Sequence, residues 1–245
     1  MEIRKEIMQR ILDYNVGCNY SPLKIVMEVT PPIYITSPWL HLDSILTYLC
    51  LREALGDLFY ILPSEEKIDV SLLDLPVERT NDLYHASVGI YNNPRLYRDT
   101  IYKRFTDKET YKLSKKQQQG RVKTNQGHFK DFMINLPILL TNKITFYCNG
   151  DKEEITHLLS HLSNIGKKTS IGSGRIRRVH VFDVEEDYSF FKDNKIMRPI
   201  PATMDIPIFE GMRFEPQPYK PPYWDKNNVV MCIVPENQIK SDDYL

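Results

Sequence analysis

The residues best suited to chemistry in this chain crowd into one stretch, residues 166–178. Gly166, Gly172 and Gly174 stand there among the hydroxyls of Thr169, Ser170 and Ser173 and five cations, Lys167, Lys168, Arg175, Arg177 and Arg178, with no acidic residue between them. Glycine lets backbone N–H groups approach a ligand closely and adopt positive φ. Lysine neutralises an anion as a point charge, and arginine can add two parallel hydrogen bonds. The composition predicts a phosphate-binding loop. Two familiar phosphate loops fail against it. G-x-x-x-x-G-K-[ST] is absent because Ser173 and Gly174 follow Gly172. G-x-G-x-x-G is absent because Arg177 holds the third glycine position. Both of those loops run from a strand into a helix, whereas this one is predicted to run from a helix into a strand, which argues against a mononucleotide site.

The elements that must position the loop follow from apolar spacing. Residues 151–164 are predicted to be a helix, with Asp151 and Glu154 at capping-box spacing and Ile155, Leu158, Leu159 and Leu162 on one face. Before it, Ile144, Phe146 and Cys148 alternate on one side of a strand. After the loop, residues 175–184 alternate again, which puts Ile176 and Phe182 on one face, Val179 and Val181 on the other, and sends Arg177 and Arg178 to opposite faces. Earlier, Ile25, Met27 and Val29 mark a strand, and Leu42, Ile45, Leu46 and Leu49 mark a helix over residues 41–55. Residues 68–75 and 84–91 are further strand candidates. The order β-α-β-β-α-β predicts an α+β, ferredoxin-like (RRM-like) fold.

This domain is assigned to residues 1–190, with a basic insertion at 95–130. Residues 191–245 form a proline-rich extension packed on it, extended and loop-like because proline fixes φ and removes donors, with a last strand at 229–234. The insertion holds eleven Lys/Arg against three Asp/Glu, a loop tip at residues 117–120, and Tyr97, Ile101, Phe105, Tyr111 and Leu113 to line a hairpin or small subdomain. Hydrophobic residues make up 42% and charged residues 26% of the 245, the balance of a soluble globular protein. No apolar run nears the roughly 20 residues needed to span a membrane, and the N-terminus does not begin as a secretory signal. Cys18, Cys50, Cys148 and Cys232 lie far apart without a CxxC pair, as expected of buried thiols in a reducing cytoplasm. The formal net charge is zero, yet residues 95–130 and 166–178 together hold sixteen of the 32 cations and three of the 32 anions. If they adjoin in space, a positive stripe crosses an acidic body. Fifteen tyrosines and ten phenylalanines supply rings on which single-stranded RNA can stack.

A strand, helix, glycine loop and strand in this order, with residues 165–175 as the loop, resembles the C-terminal glycine loop of the RAMP superfamily, the RNA-binding subunits of CRISPR effectors. Residues 41–46 (His-Leu-Asp-Ser-Ile-Leu), 75–79 (Leu-Pro-Val-Glu-Arg), 84–89 (Tyr-His-Ala-Ser-Val-Gly), 197–201 (Met-Arg-Pro-Ile-Pro) and 221–224 (Pro-Pro-Tyr-Trp) further resemble the type IV subunit that caps the 5′ end of the guide RNA. The resemblance spans about residues 24–235. It implies a non-catalytic RNA-binding subunit in the prokaryotic cytoplasm, without metal or cofactor, that holds the crRNA 5′ handle. Its other partners would be neighbouring effector subunits, with target duplex DNA near the flanking motif a further candidate. Carried onto this chain, Gly166, Lys167, Lys168, Ser170, Gly172, Ser173, Gly174, Arg175 and Arg177 of the loop would bind the RNA, with Lys167, Lys168, Ser170 and Arg175 on its phosphates, and Lys103, Arg104, Arg121 and Lys123 would add the insertion's share.

The alternative is a metal-independent endoribonuclease that processes precursor crRNA, which needs a general base and a general acid. His41, His85 and His128 are its candidates. Packing or capping accounts for His41, a satisfied half-buried imidazole for His85, and His128 in the basic insertion is the first to test. His157 and His161 stand at i, i+4 without the glutamate of HExxH. No spacing of aspartates marks a two-metal nuclease, and Ser173 lacks a G-x-S-x-G elbow. A protein-binding scaffold with a basic face is the third reading.

Overall fold

The computed structural model describes residues 2–16, 19–61, 68–104, 125–126, 130–207 and 211–239. Arg121, Lys123, His128, Cys18 and the expected tip at 117–120 lie outside the described residues. In chain order the first elements are α1 (Glu2–Asp13), β1 (Tyr20–Thr30), β2 (Ile33–Tyr34), α2 (Leu42–Leu55), β3 (Arg79–Thr80), β4 (Leu83–Tyr84), β5 (Ile90–Tyr91) and β6 (Arg95–Lys103). They continue with β7 (Phe132–Leu140), β8 (Lys143–Asp151), α3 (Lys152–Ser160), β9 (Arg175–Asp183), β10 (Phe191–Lys192), β11 (Lys195–Ile196), β12 (Ile200–Pro201), β13 (Arg213–Pro218) and β14 (Val229–Val234).

The fold is mixed α+β with antiparallel pairing. Its main sheet has the order β5-β8-β1-β9. Leu23, Ile25, Met27 and Val29 of β1 alternate onto one buried face, as the period-2 pattern requires. Leu42, Leu46 and Leu49 of α2 and Ile155, Leu158 and Leu159 of α3 close over that face and form one core with it. Asp151 caps α3 by accepting from the Glu154 N–H at 3.0 Å, and this bond, with one from the Asn19 N–H at 2.9 Å, holds its carboxyl below the usual range. The helix stops at Ser160 rather than at residue 164, which releases residues 161–165 to start the glycine loop. α1 is an addition to the expected elements; Ile7 and Ile11 enter the same core and Arg10 caps α2 through Leu55 O at 3.1 Å.

Three expectations are corrected. Residues 68–75 form a short 3-10 turn, Val70–Leu72, because Asp69 draws the Ser71 N–H to its carboxylate at 3.0 Å and competes with a strand ladder. Residues 84–91 are not one strand, since the Ala86 N–H turns back to Tyr84 O at 2.8 Å and leaves only single bridges between β4 and β5. The extension is more regular than its prolines suggest: β12, β14 and β13 form a sheet with Pro216 and Pro218 on its edge strand, where a missing donor is tolerated. β14 is the expected last strand. Leu83, Ile196, Ile200 and Ile233 bury this sheet in a second cluster. Cys50, Cys148 and Cys232 are buried free thiols. Among the described residues no helix is long and apolar enough to cross a membrane.

Candidate nucleic-acid interface

The glycine loop is fastened to the strand beside it before any ligand is considered. Its neck closes where the Ile165 N–H reaches Gly174 O at 2.9 Å and Asn164 Nδ2 reaches Ser173 O at 2.8 Å. The Gly174 N–H donates to Pro32 O at 2.9 Å and the Lys167 N–H to Tyr34 O at 2.7 Å. Ser173 is buried; its hydroxyl donates to Pro32 O at 3.1 Å and accepts the Tyr34 N–H at 3.1 Å. Close approach explains two glycines. A Cβ on Gly166 would stand 2.7 Å from Tyr34 O, and one on Gly174 would stand 1.9 Å from Ile165 O. Gly172, at φ +88° with nothing within 4 Å, turns the exposed tip. The Ile171 and Gly172 amides are also spent, on Lys168 O and Thr169 O. Composition alone suggests that glycine amides face the ligand, whereas here the Gly172 and Gly174 amides serve the loop itself.

Lys167, Thr169, Ser170, Arg175, Arg177 and Arg178 are exposed, and Lys168 is half-buried with its Nζ 6.0 Å from the centre of the Phe132 ring. Simple alternation fails on β9. The register against β1 shifts between Glu28 and Val29, so Arg178 pairs with Glu28, Ile176 pairs with Val29, and Arg177 is the extra residue of a bulge. Ile176 thus joins Val179 and Val181 against the core, and both arginines reach solvent. Arg177 Nε donates to Thr30 Oγ1 at 2.9 Å.

β2 joins the loop to the basic insertion. Tyr34 pairs with Ile138 of β7 on one edge and bridges Lys167 on the other, and its hydroxyl donates to Asp99 on β6. The hydrogen bond to Asp99 raises the Tyr34 pKa. Lys103 stands opposite Phe132 in the β6–β7 register, and Phe132 is the ring beneath Lys168. Lys103, the adjoining exposed Arg104 and the loop lysines therefore share one side of the molecule. Tyr97 and Ile101 lie on β6 of the expected hairpin.

A groove of about 840 Å³ opens from the loop toward α2 and the extension. Lys167 and Ser170 line it from the loop, His41, Tyr48 and Arg52 from the start and along α2, and Tyr223 and Trp224 from the extension. His41 stacks on Tyr223 with centroids 3.7 Å apart and planes at 21°. Burial, helped by the Arg198 charge, pushes its pKa down to about 3, so the ring is neutral. Tyr223 is held from behind. Its hydroxyl donates to Asp43 at 2.9 Å, and the fully buried Arg198 reaches Asp43 Oδ2 at 3.1 Å, Tyr219 O at 2.6 Å, Ala86 O at 3.1 Å and Tyr84 O. Four segments with separate sequence motifs, around residues 43, 84–86, 198 and 219–223, meet at this guanidinium. Sequence reasoning missed the groove wall; the buried Arg198, a charge within an apolar, proline-rich segment, was the signal for it.

Two further histidines are engaged. His85 Nδ1 lies 2.7 Å from Asp187 Oδ2 and Nε2 lies 2.9 Å from Thr80 Oγ1, which uses both nitrogens. His157 Nε2 is 3.2 Å from Glu53 Oε1. Among the described residues no group of three or more His, Cys, Asp or Glu side chains could hold a metal ion.

A family model for the CRISPR type IV associated protein Csf3 matches residues 76–235, well over half of the chain. The chain belongs to this family. No curated protein matches it. The part that matches the Csf3 model takes in the β6–β7 hairpin, the glycine loop, Arg198 and the Tyr223 wall, while β1, β2 and α2, which complete the groove, precede it.

Proposed function

We propose that this Csf3 family member holds the 5′ handle of the guide RNA within a type IV CRISPR effector, and does so without cutting it. The observation that carries the reading is the side-by-side placement of the glycine loop and the β6–β7 hairpin across β2, which brings Lys103 and Lys168 to Phe132 and Lys167 to Tyr34. Cations there neutralise phosphates and fix the strand's path, while rings nearby take its bases. The sheet order β9-β1-β8-β5, with α2 and α3 as crossovers, supports a ferredoxin-like RAMP palm, and the hairpin supports its thumb. In this reading the protein works in the prokaryotic cytoplasm, in antiviral or anti-plasmid defence, beside the backbone subunit and near target duplex DNA at the flanking motif.

The test is a salt titration of repeat-derived RNA binding with Lys167→Ala combined with Lys168→Ala. Each lost contact on single-stranded RNA lowers the log–log salt slope by about 0.7, so the pair should lower it by roughly 1.4 and weaken binding. Unchanged affinity and slope would refute the loop as the phosphate site. Cleavage of that RNA by the purified protein in EDTA would refute the non-catalytic role.

A further inference from the structure

The groove draws its lining from chemically different parts of the chain. The glycine loop gives it Lys167, Thr169 and Ser170, whereas α2 and the extension give it Tyr48, Arg52, the His41–Tyr223 stack and Trp224. Arg198 is fully buried behind Tyr223 and spent on Asp43 and backbone carbonyls. We propose that the part of the groove lined by the His41–Tyr223 stack and Trp224 is a pocket for a single unstacked nucleobase of the bound RNA, next to the phosphates held on the loop. This rests on the handle reading above and adds the place where a base is received.

Four observations carry it. The groove volume of about 840 Å³ falls within the roughly 300–1,000 Å³ of small-ligand pockets. Trp224 of the extension and Tyr48 of α2 both line the groove and expose 63% and 44% of their surface. Exposed rings in a groove offer a base the stacking surface that single-strand binders use. His41 is neutral, so its ring presents one donor and one acceptor, the equipment for a base edge rather than for a phosphate. Finally, the wall is rigid: the Tyr223 hydroxyl is fixed by Asp43 at 2.9 Å and its ring by the 3.7 Å stack on His41. Cations suited to phosphates and rings suited to bases thus line one continuous groove.

The test uses the full-length protein and a repeat-derived 5′-handle RNA, with each nucleotide replaced in turn by an abasic ribose. Trp224→Ala should weaken binding about 5- to 150-fold, the loss of one base–aromatic stack, and leave the salt slope unchanged. Trp224→Phe should keep most of the affinity. One abasic position should produce the same loss in the wild type and none in Trp224→Ala. In the Trp224 variants the buried Trp39 is the one tryptophan left, and its blue-shifted emission, lost on adding urea, reports that they are folded. Trp224→Ala with wild-type affinity, while the Lys167 and Lys168 double variant is weakened, would overturn the pocket and leave the handle reading standing. Wild-type protein that binds no RNA would overturn both. Full RNA affinity in Trp224→Ala with lost binding to another effector subunit would make the rings a protein-docking wall and overturn the pocket.

Discussion

Replacing Arg198 with methionine tests how the groove wall is held. The variant keeps an apolar stem of similar reach and deletes a guanidinium that has no solvent exposure. Asp43 is then left buried with the Tyr223 hydroxyl at 2.9 Å and the Ser44 N–H at 2.9 Å as its support. Burial pushes the Asp43 carboxyl up, and Arg198, Tyr223 and Ser44 pull against it. Without the guanidinium the upward push is less opposed, and the carbonyls of Tyr84, Ala86 and Tyr219 lose a donor as well. Removing one partner from a buried ion pair costs about 3–5 kcal/mol. Arg198→Met should lose that much in urea unfolding followed by circular dichroism. Asp43→Leu should lose a similar amount, because it strands the guanidinium instead. Arg198→Met with Asp43→Leu removes both charges and should recover a large part of the loss, since a buried pair contributes little net stability against its own desolvation. RNA binding should fall in Arg198→Met, whose Tyr223 wall is loosened. A single variant within about 1 kcal/mol of wild type, or a double variant worse than the two singles together, would refute the clamp.

Two further outcomes are expected. Gly174→Ala, with Cβ driven to 1.9 Å from Ile165 O at φ +61°, should destabilise the fold by about 3 kcal/mol or more, whereas Gly172→Ala meets no atom within 4 Å and should cost only the left-handed backbone, about 1–2 kcal/mol; unfolding midpoints compare them. His41 has a folded pKa of about 3 against an ordinary 6.5, so between these values the unfolded chain binds a proton that the folded protein does not. Stability should therefore fall as pH drops from 6.5 toward 3, by up to about 2 kcal/mol at pH 5, trimmed by the ring's partial exposure in the groove. His41→Gln should flatten that part of the pH–stability curve, and an unaltered curve would show that His41 titrates freely.

Local order was legible in the residues themselves. The alternation of Ile25, Met27 and Val29, the helical spacing of Ile155, Leu158 and Leu159, and the Asp151 cap each depend on residues within one or two turns, and all are found as read. The same is true of the loop's place between a helix and a strand and of the crowding of cations within it. Alternation failed where the chain left its period. The bulge at Arg177 depends on the partner strand β1, so no count along β9 could reveal that both arginines face outward. Ser173 looked like a ligand hydroxyl by type, yet its partners, Pro32 and Tyr34, are distant in sequence and turn it inward.

The groove was the least visible feature, because it belongs to no segment. Asp43, Ala86, Arg198 and Tyr223 lie far apart along the chain and carry no shared period, and burial alone makes their hydrogen bonds obligatory. Amino-acid order determined which elements form and where positive charge collects, since those follow from neighbours along the backbone. Which cations stand together, which glycines serve packing, and which rings face one channel were decided by tertiary structure, since each needs partners that only folding brings within hydrogen-bond or van der Waals reach.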